Sequence, residues 1–215
     1  MMNKKHFYLI VDTETTNDNM VADFGAVVVD RGGKVWAEFG CLIADDFHFS
    51  LGSKKKIQAK YKRLESLGYR CDGSVAYINN WLAFIRDTFN PTLTAYNIGF
   101  DMGKCRNTGI DLSMFDRRFD LMMAAKTVIC GTEDYARTCI ENDWITPSGR
   151  MSTKADHVAR YLDPTLPPEP HTALEDARDY EAVILHSIIH DPKSREQLIA
   201  AGMAKNPSAK WMLGL

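Results

Sequence analysis

The chain opens with an apolar run, Phe7-Tyr8-Leu9-Ile10-Val11, which reads as a first strand over residues 6–11. Residues 22–30 (ADFGAVVVD) and 34–43 (KVWAEFGCLI) read as two more strands. Arg31-Gly32-Gly33 between them predicts an antiparallel hairpin. Val75, Ile78, Leu82, Ile85 and Phe89 recur every three or four positions, one face of a helix over 74–89. Asn90-Pro91 ends it, because proline disfavours helix at the residue before it. A β-prone run follows at 92–96, then a helix from near Gly99, a short strand around 118–120, and helices over 121–129 and about 152–162. Four prolines within 163–170 exclude regular structure there and predict an exposed, extended loop. Thr172-Ala-Leu-Glu175 then has the capping-box pattern, with Thr172 as cap and Glu175 folding back, opening a helix that runs to about His190. Strands first, then strands alternating with helices, predict a mixed sheet with helices packed on it.

Composition narrows the class. The 215 residues suit one domain, read here as 1–190, with a partly helical C-terminal tail over 191–215. An apolar fraction of 45% and a charged fraction of 25% describe an ordinary soluble protein. A net charge of −2 argues against a protein that coats duplex DNA and is compatible with one that grips a strand end. The five cysteines (41, 71, 105, 130 and 139) form no C-x-x-C pair and read as reduced thiols. The apolar stretch after the basic start stops at Asp12, too early for a signal peptide, and no window approaches a membrane span. The expected compartment is cytoplasmic.

Asp12-Thr13-Glu14 places two carboxylates side by side at the end of the first strand, since alternate strand residues share a face. Like charges so placed call for something positive, and carboxylate oxygens suit Mg²⁺ or Mn²⁺. Alone, the pair reads more readily as a solvated strand rim than as a metal site. Asp101, in Tyr96-Asn-Ile-Gly-Phe-Asp101, stands where a strand gives way to a helix, and taken alone reads as a helix-dipole residue. His171 lies just outside the last helix on the proline-rich loop, and Asp176 within its second turn. The aspartate is thus on a rigid element suited to a ligand, and the histidine on a segment suited to a base that approaches substrate.

Together the motifs DTETT, YNIGFD and HTALED, in this order, resemble those of the DEDDh 3′→5′ exonucleases, the group that resembles the proofreading subunit of bacterial replicative polymerases. The resemblance covers roughly residues 6–190. It implies a ribonuclease-H-like α/β fold, a five-stranded mixed sheet with helices on both faces. It also implies two divalent cations, Mg²⁺ or Mn²⁺, held by Asp12, Glu14, Asp101 and Asp176, with His171 as the base. Thr15, Asn97 and Phe100 match positions that line the terminal-nucleotide pocket in that family. The implied partner is single-stranded nucleic acid, DNA favoured over RNA, with a polymerase or other replication protein as a further candidate and a role in proofreading or repair. An exoribonuclease stays open, because no residue settles the treatment of the 2′-hydroxyl. A binding module that has lost catalysis is disfavoured because none of the five groups is missing, and an endonuclease because His-x4-Asp is typical of the exonucleolytic group. One departure is Asn17, where the family has glycine. Asparagine tolerates positive φ, while Asp18 beside it would repel a phosphate if it faced the site.

Lys54, Lys55, Lys56, Lys60, Lys62 and Arg63 crowd a segment with Ile57, Tyr61 and Leu64 at helical spacing and Gly68 as a stop. A basic face along the substrate's phosphates and a plain solvated face fit it equally. Removing the six cations together should weaken nucleic-acid binding and flatten its salt dependence; unchanged salt dependence leaves only the solvated face. His186 and His190 read as helix C-terminal dipole partners rather than metal ligands. The apolar end Trp211-Met212-Leu213 reads as packing on its own domain.

Overall fold

The computed structural model describes residues 6–43 and 55–202, without the side chains of 55–58; Lys54 and Trp211-Met212-Leu213 lie outside the described residues. Strands β1 (Phe7–Thr15), β2 (Val21–Asp30) and β3 (Val35–Ile43) form an antiparallel meander, as the hairpin signal predicts. β4 (Cys71–Gly73) pairs parallel to β3, β5 (Thr92–Ala95) parallel to β1, and β6 (Arg118–Asp120) parallel to β5. The sheet has six strands in the order β4-β3-β2-β1-β5-β6. The expected five-stranded sheet is therefore one strand short: β4 has three residues and no apolar pattern, and pairing with β3 alone makes it a strand.

Helix α1 (Lys55–Ser66) occupies the basic segment, and Gly68 beyond it has φ 74°. α2 (Val75–Phe89) starts at the Ser74 cap and ends on Asn90 in the left-handed region. α3 (Ile98–Thr108) and α4 (Leu121–Val128) follow β5 and β6. α5 (Glu133–Glu141) has no counterpart in the sequence reading, and α6 (Ala155–Leu162) starts three residues later than predicted. The last long helix, α7, comprises a turn Ala173–Glu175, a π-helical stretch Asp176–Glu181 and a regular part Ala182–His190. α8 (Pro192–Ala200) continues from it and buries Leu198.

Alternation along β1 divides the core in two. Tyr8 and Ile10 join Val27, Phe119, Ala177, Ile184 and Ile188 on one face, beneath α4 to α8. Leu9 and Val11 join Phe24, Ile78, Leu82, Ile85 and Cys105 on the other, beneath α2 and α3. Helices thus cover both faces, the three-layer arrangement that mixed sheets require. β1 itself runs further than predicted, because its backbone pairs with β2 out to Thr15 although its side chains turn polar at Asp12. The His186 and His190 rings lie 4.2 Å apart, and His190 Nε2 meets Arg31 O at 2.5 Å, which ties the end of α7 to the β2–β3 turn.

Candidate active site

Period-two alternation puts Asp12 and Glu14 on the Tyr8–Ile10 face, under the start of α7. Their cross-strand partners are Gly25 and Asp23. A Cβ on Gly25 would lie 2.1 Å from Ala173 C and Leu174 N, so the first turn of α7 rests on bare backbone opposite Asp12. That close approach brings Asp176 over the strand.

The capping box predicted at this turn does not form. Thr172 Oγ1 caps nothing, and Asp176 Oδ2, not Glu175, accepts the Thr172 N–H at 2.9 Å. Glu175 is drawn away by Arg70, whose Nη2 meets Glu175 Oε2 at 2.6 Å. Arg70 also grips Asp23 through Nε at 2.8 Å and Nη2 at 3.1 Å. Asp23 is fully buried and takes two further donors, Tyr61 Oη at 2.9 Å and Ala173 N–H at 3.0 Å. A satisfied buried ion network therefore ties β2, α1 and the N-terminus of α7 together beside Glu14.

Asp101 comes from the opposite layer. It is 2% exposed on the first turn of α3 and accepts Thr13 Oγ1–H at 2.8 Å across the end of β1. His171 stands on the proline-rich loop with its side chain 77% exposed and φ 55°. Ligand atoms of Glu14, His171 and Asp176 all lie within 4.8 Å of one another. Asp12 completes the group electrostatically: burial raises its carboxyl well above the usual range, and the charges of Glu181, Asp101, Asp176 and Glu14 push it further. The structure thus gathers all five sequence-derived groups at one end of β1.

Burial pushes Glu14 and Asp101 up to about 7 and Asp176 up to about 9. Glu169 and Glu14 add to the Asp176 shift, while the Thr172 N–H and Lys60 oppose it. Raised values mean that the fold holds these protons more tightly than the unfolded chain does. Their stabilisation is complete below about pH 4 and is lost as pH rises through 7 to 9. In the metal-free protein the melting temperature should fall between pH 5 and 9, and Mg²⁺ should raise it more at pH 8 than at pH 6. A metal-free melting temperature that is flat or rising over that range would contradict the cluster.

A divalent cation fits these residues. Asp176 Oδ1 is buried with no hydrogen-bond partner, and the donors are carboxylate oxygens with one imidazole, a set suited to Mg²⁺ or Mn²⁺.

Thr15 ends β1 beside a bulge at Glu14/Thr15, Asn97 precedes α3 with φ 72° and no side-chain capping bond, and Phe100 is 45% exposed one residue before Asp101. Lys104 Nζ lies 4.6 Å from the centre of the Phe100 ring and bonds to the Asn19 side chain. The β1–β2 turn corrects one expectation: the positive φ falls on Asn19 (65°) rather than Asn17. Thr16 closes that turn, its N–H on Met20 O at 2.9 Å and its Oγ1 accepting Met20 N–H at 3.1 Å. Asn17 and Asp18 sit exposed at its tip. Of the basic segment, Lys60 acts on Glu14 and Asp176, so α1 turns at least one cation towards the site.

Two carboxylates escaped the sequence reading. Glu169 lies 3.7 Å from His171 Nδ1, and burial pushes it up to about 7. Glu181 is 2% exposed and accepts the Tyr96 N–H at 3.1 Å. Neither belongs to a recognisable motif, and Glu181 is five residues from Asp176, a spacing that ordinary helical periodicity puts on a different face.

No family model matches the chain, and no curated protein matches it in sequence. Solved structures do. Exonuclease I in complex with the inhibitor BCBP superposes with a TM-score of 0.51 at 14% identity, over 92% of this chain and 44% of that one. This is the ribonuclease-H-like fold. E. coli exonuclease I with a 5cy-dT13 oligonucleotide gives 0.49 at 16% identity, over 92% and 45%. The chain therefore spans less than half the length of exonuclease I. Among the described residues no helix is long and apolar enough to cross a membrane.

Proposed function

We propose that this chain is a metal-dependent 3′→5′ exonuclease that hydrolyses single-stranded or frayed DNA and releases nucleoside 5′-monophosphates. The observation that supports it most is the convergence of Glu14, His171 and Asp176 within 4.8 Å, beside Asp12 and Asp101, on a fold shared with exonuclease I. Asp12, Glu14, Asp101 and Asp176 would hold two cations, Mg²⁺ or Mn²⁺. Such a pair, when bound, makes water acidic enough to attack at neutral pH and offsets charge on the attacking and leaving oxygens.

The chain's own residues divide the remaining work. His171, exposed at the loop end, takes a proton from the attacking water, and Glu169 near Nδ1 favours the tautomer that leaves Nε2 as acceptor. Thr15, Asn97 and Phe100 line the pocket for the terminal nucleotide. Lys104 lies over the Phe100 ring, whose exposed surface would take a base in stacking. Lys60 offers a positive charge to the strand's phosphates beside the carboxylates.

The test is digestion of 5′-labelled single-stranded DNA, duplex DNA and RNA of one sequence, with Mg²⁺, Mn²⁺ or chelator. A ladder shortening from the 3′ end on single-stranded DNA, absent with chelator, is expected. Immediate release of the label as a mononucleotide, or an intact strand under every condition, would refute the proposal. A ladder on RNA alone would reassign the substrate.

A further inference from the structure

Cys41 and Cys71 are free thiols and register partners on the parallel strands β3 and β4, Cys41 buried and Cys71 exposed on the edge strand. Register partners on neighbouring strands share a face and stand about 5 Å apart, within the Cα separation that a disulfide spans. Both side chains are turned towards the opposite strand. Cys71 Sγ lies 3.7 Å from Gly40 O on β3, and a Cβ on Gly73 of β4 would sit 2.5 Å from Cys41 Sγ. The two sulfurs thus share the gap between the strands.

Their neighbours tie this gap to the ion network beside the candidate site. Arg70 precedes Cys71 and crosses β3 at Gly40, where a Cβ would lie 2.6 Å from Arg70 Nη1 and 2.7 Å from Tyr69 O. Beyond that crossing it holds Asp23 and Glu175. The chain between the two cysteines carries α1, whose Tyr61 donates to the same Asp23. β4 has only three residues, so few backbone bonds hold the crossing in place. Burial and the neighbouring Cys71 thiol push the Cys41 thiol up to about 12, which leaves the exposed Cys71 as the sulfur that reacts first.

We propose that Cys41 and Cys71 form a reversible disulfide, made by exchange with a small-molecule disulfide such as oxidised glutathione, that clamps Arg70 and α1 to β3. The Cys71 thiolate, its proton released to water, attacks one glutathione sulfur; the glutathione S–S bond breaks and one glutathione thiolate leaves. Cys41 then gives up its proton and attacks the Cys71 sulfur of the mixed disulfide, expelling the second glutathione thiolate. The two thiolates take up the two protons, so a pair of protein thiols is oxidised as one glutathione disulfide is reduced. Contact between the two sulfurs offsets the reluctance of the buried Cys41 to ionise. Exposure on the Cys71 side leaves the bond open to reduction by the same thiols. The competing role is packing alone, with each thiol a weak donor to a carbonyl oxygen.

The experiment holds the folded protein in mixtures of oxidised and reduced glutathione, alkylates it in denaturant and maps every cysteine by peptide mass spectrometry. Wild type should yield a linked Cys41–Cys71 peptide pair, lighter by two hydrogens and separated again by dithiothreitol, with Cys105, Cys130 and Cys139 alkylated. Oxidation should raise the melting temperature by about 5 °C or more, because the bond closes a loop that contains α1. Cys41→Ala should trap Cys71 as its glutathione mixed disulfide. Cys71→Ser, at an exposed position, should abolish the melting shift and decides the matter if Cys41→Ala fails to fold. Wild-type Cys71 found only as the mixed disulfide, alkylated at every glutathione ratio, or linked to another cysteine overturns the inference. A linked pair with an unchanged melting temperature, or a shift that persists in Cys71→Ser, overturns the clamp.

Discussion

Replacing Gly25 with alanine should abolish the proposed nuclease activity and lower stability by about 3 kcal/mol or more, although Gly25 carries no chemistry. The new Cβ would sit 2.1 Å from Ala173 C and Leu174 N and 2.4 Å from Ala173 O. These are backbone atoms, so no rotamer change relieves the clash. Either β2 or the first turn of α7 must move, and that turn carries Asp176 over Asp12, the cross-strand partner of Gly25. A displacement of even 1 Å would separate ligands that now lie within 4.8 Å. Thermal unfolding and Mn²⁺ titration on the same variant check both halves: wild-type values would show that the helix does not depend on bare backbone there.

Arg70→Met should be nearly as damaging, for an electrostatic reason. Arg70 has no exposed side-chain surface and serves Asp23 and Glu175 together. Its loss leaves a fully buried carboxylate with only Tyr61 and the Ala173 N–H, and breaking such a pair costs about 3–5 kcal/mol. For a domain of this size that is about 10 °C in melting temperature. Adding Asp23→Asn should restore part of the loss, because the unpaired charge goes with it. A double variant as unstable as the sum of the two single ones would show that Arg70 and Asp23 act independently.

The legible parts of the fold are those whose signal is local. The meander follows from two apolar runs around Gly32-Gly33, and α2 from five apolar residues on one face with Ser74 and Asn90 at its ends. β4 and α5 were not legible. β4 exists through its pairing with β3, and α5 buries only Tyr135 and Cys139, too few to mark a face. The capping box failed because an ion pair from a distant segment outbid a local pattern, drawing Glu175 to Arg70. The candidate site was legible as three motifs, yet its supports were not. Asp23 and Arg70 are 47 residues apart, a pairing that no local pattern announces.

Asp12→Ala tests the central claim most directly, with Mg²⁺-dependent release of mononucleotides from a single-stranded 3′ end as the measurement. Asp12 lies among four other carboxylates, so its removal relieves repulsion, and the variant should fold with an unchanged or higher metal-free melting temperature. The proposed nuclease activity should nevertheless fall at least about a thousandfold, equivalent to ~4 kcal/mol of transition-state stabilisation. A folded Asp12→Ala protein that releases mononucleotides at the wild-type rate would contradict the assignment of this carboxylate cluster as the catalytic centre.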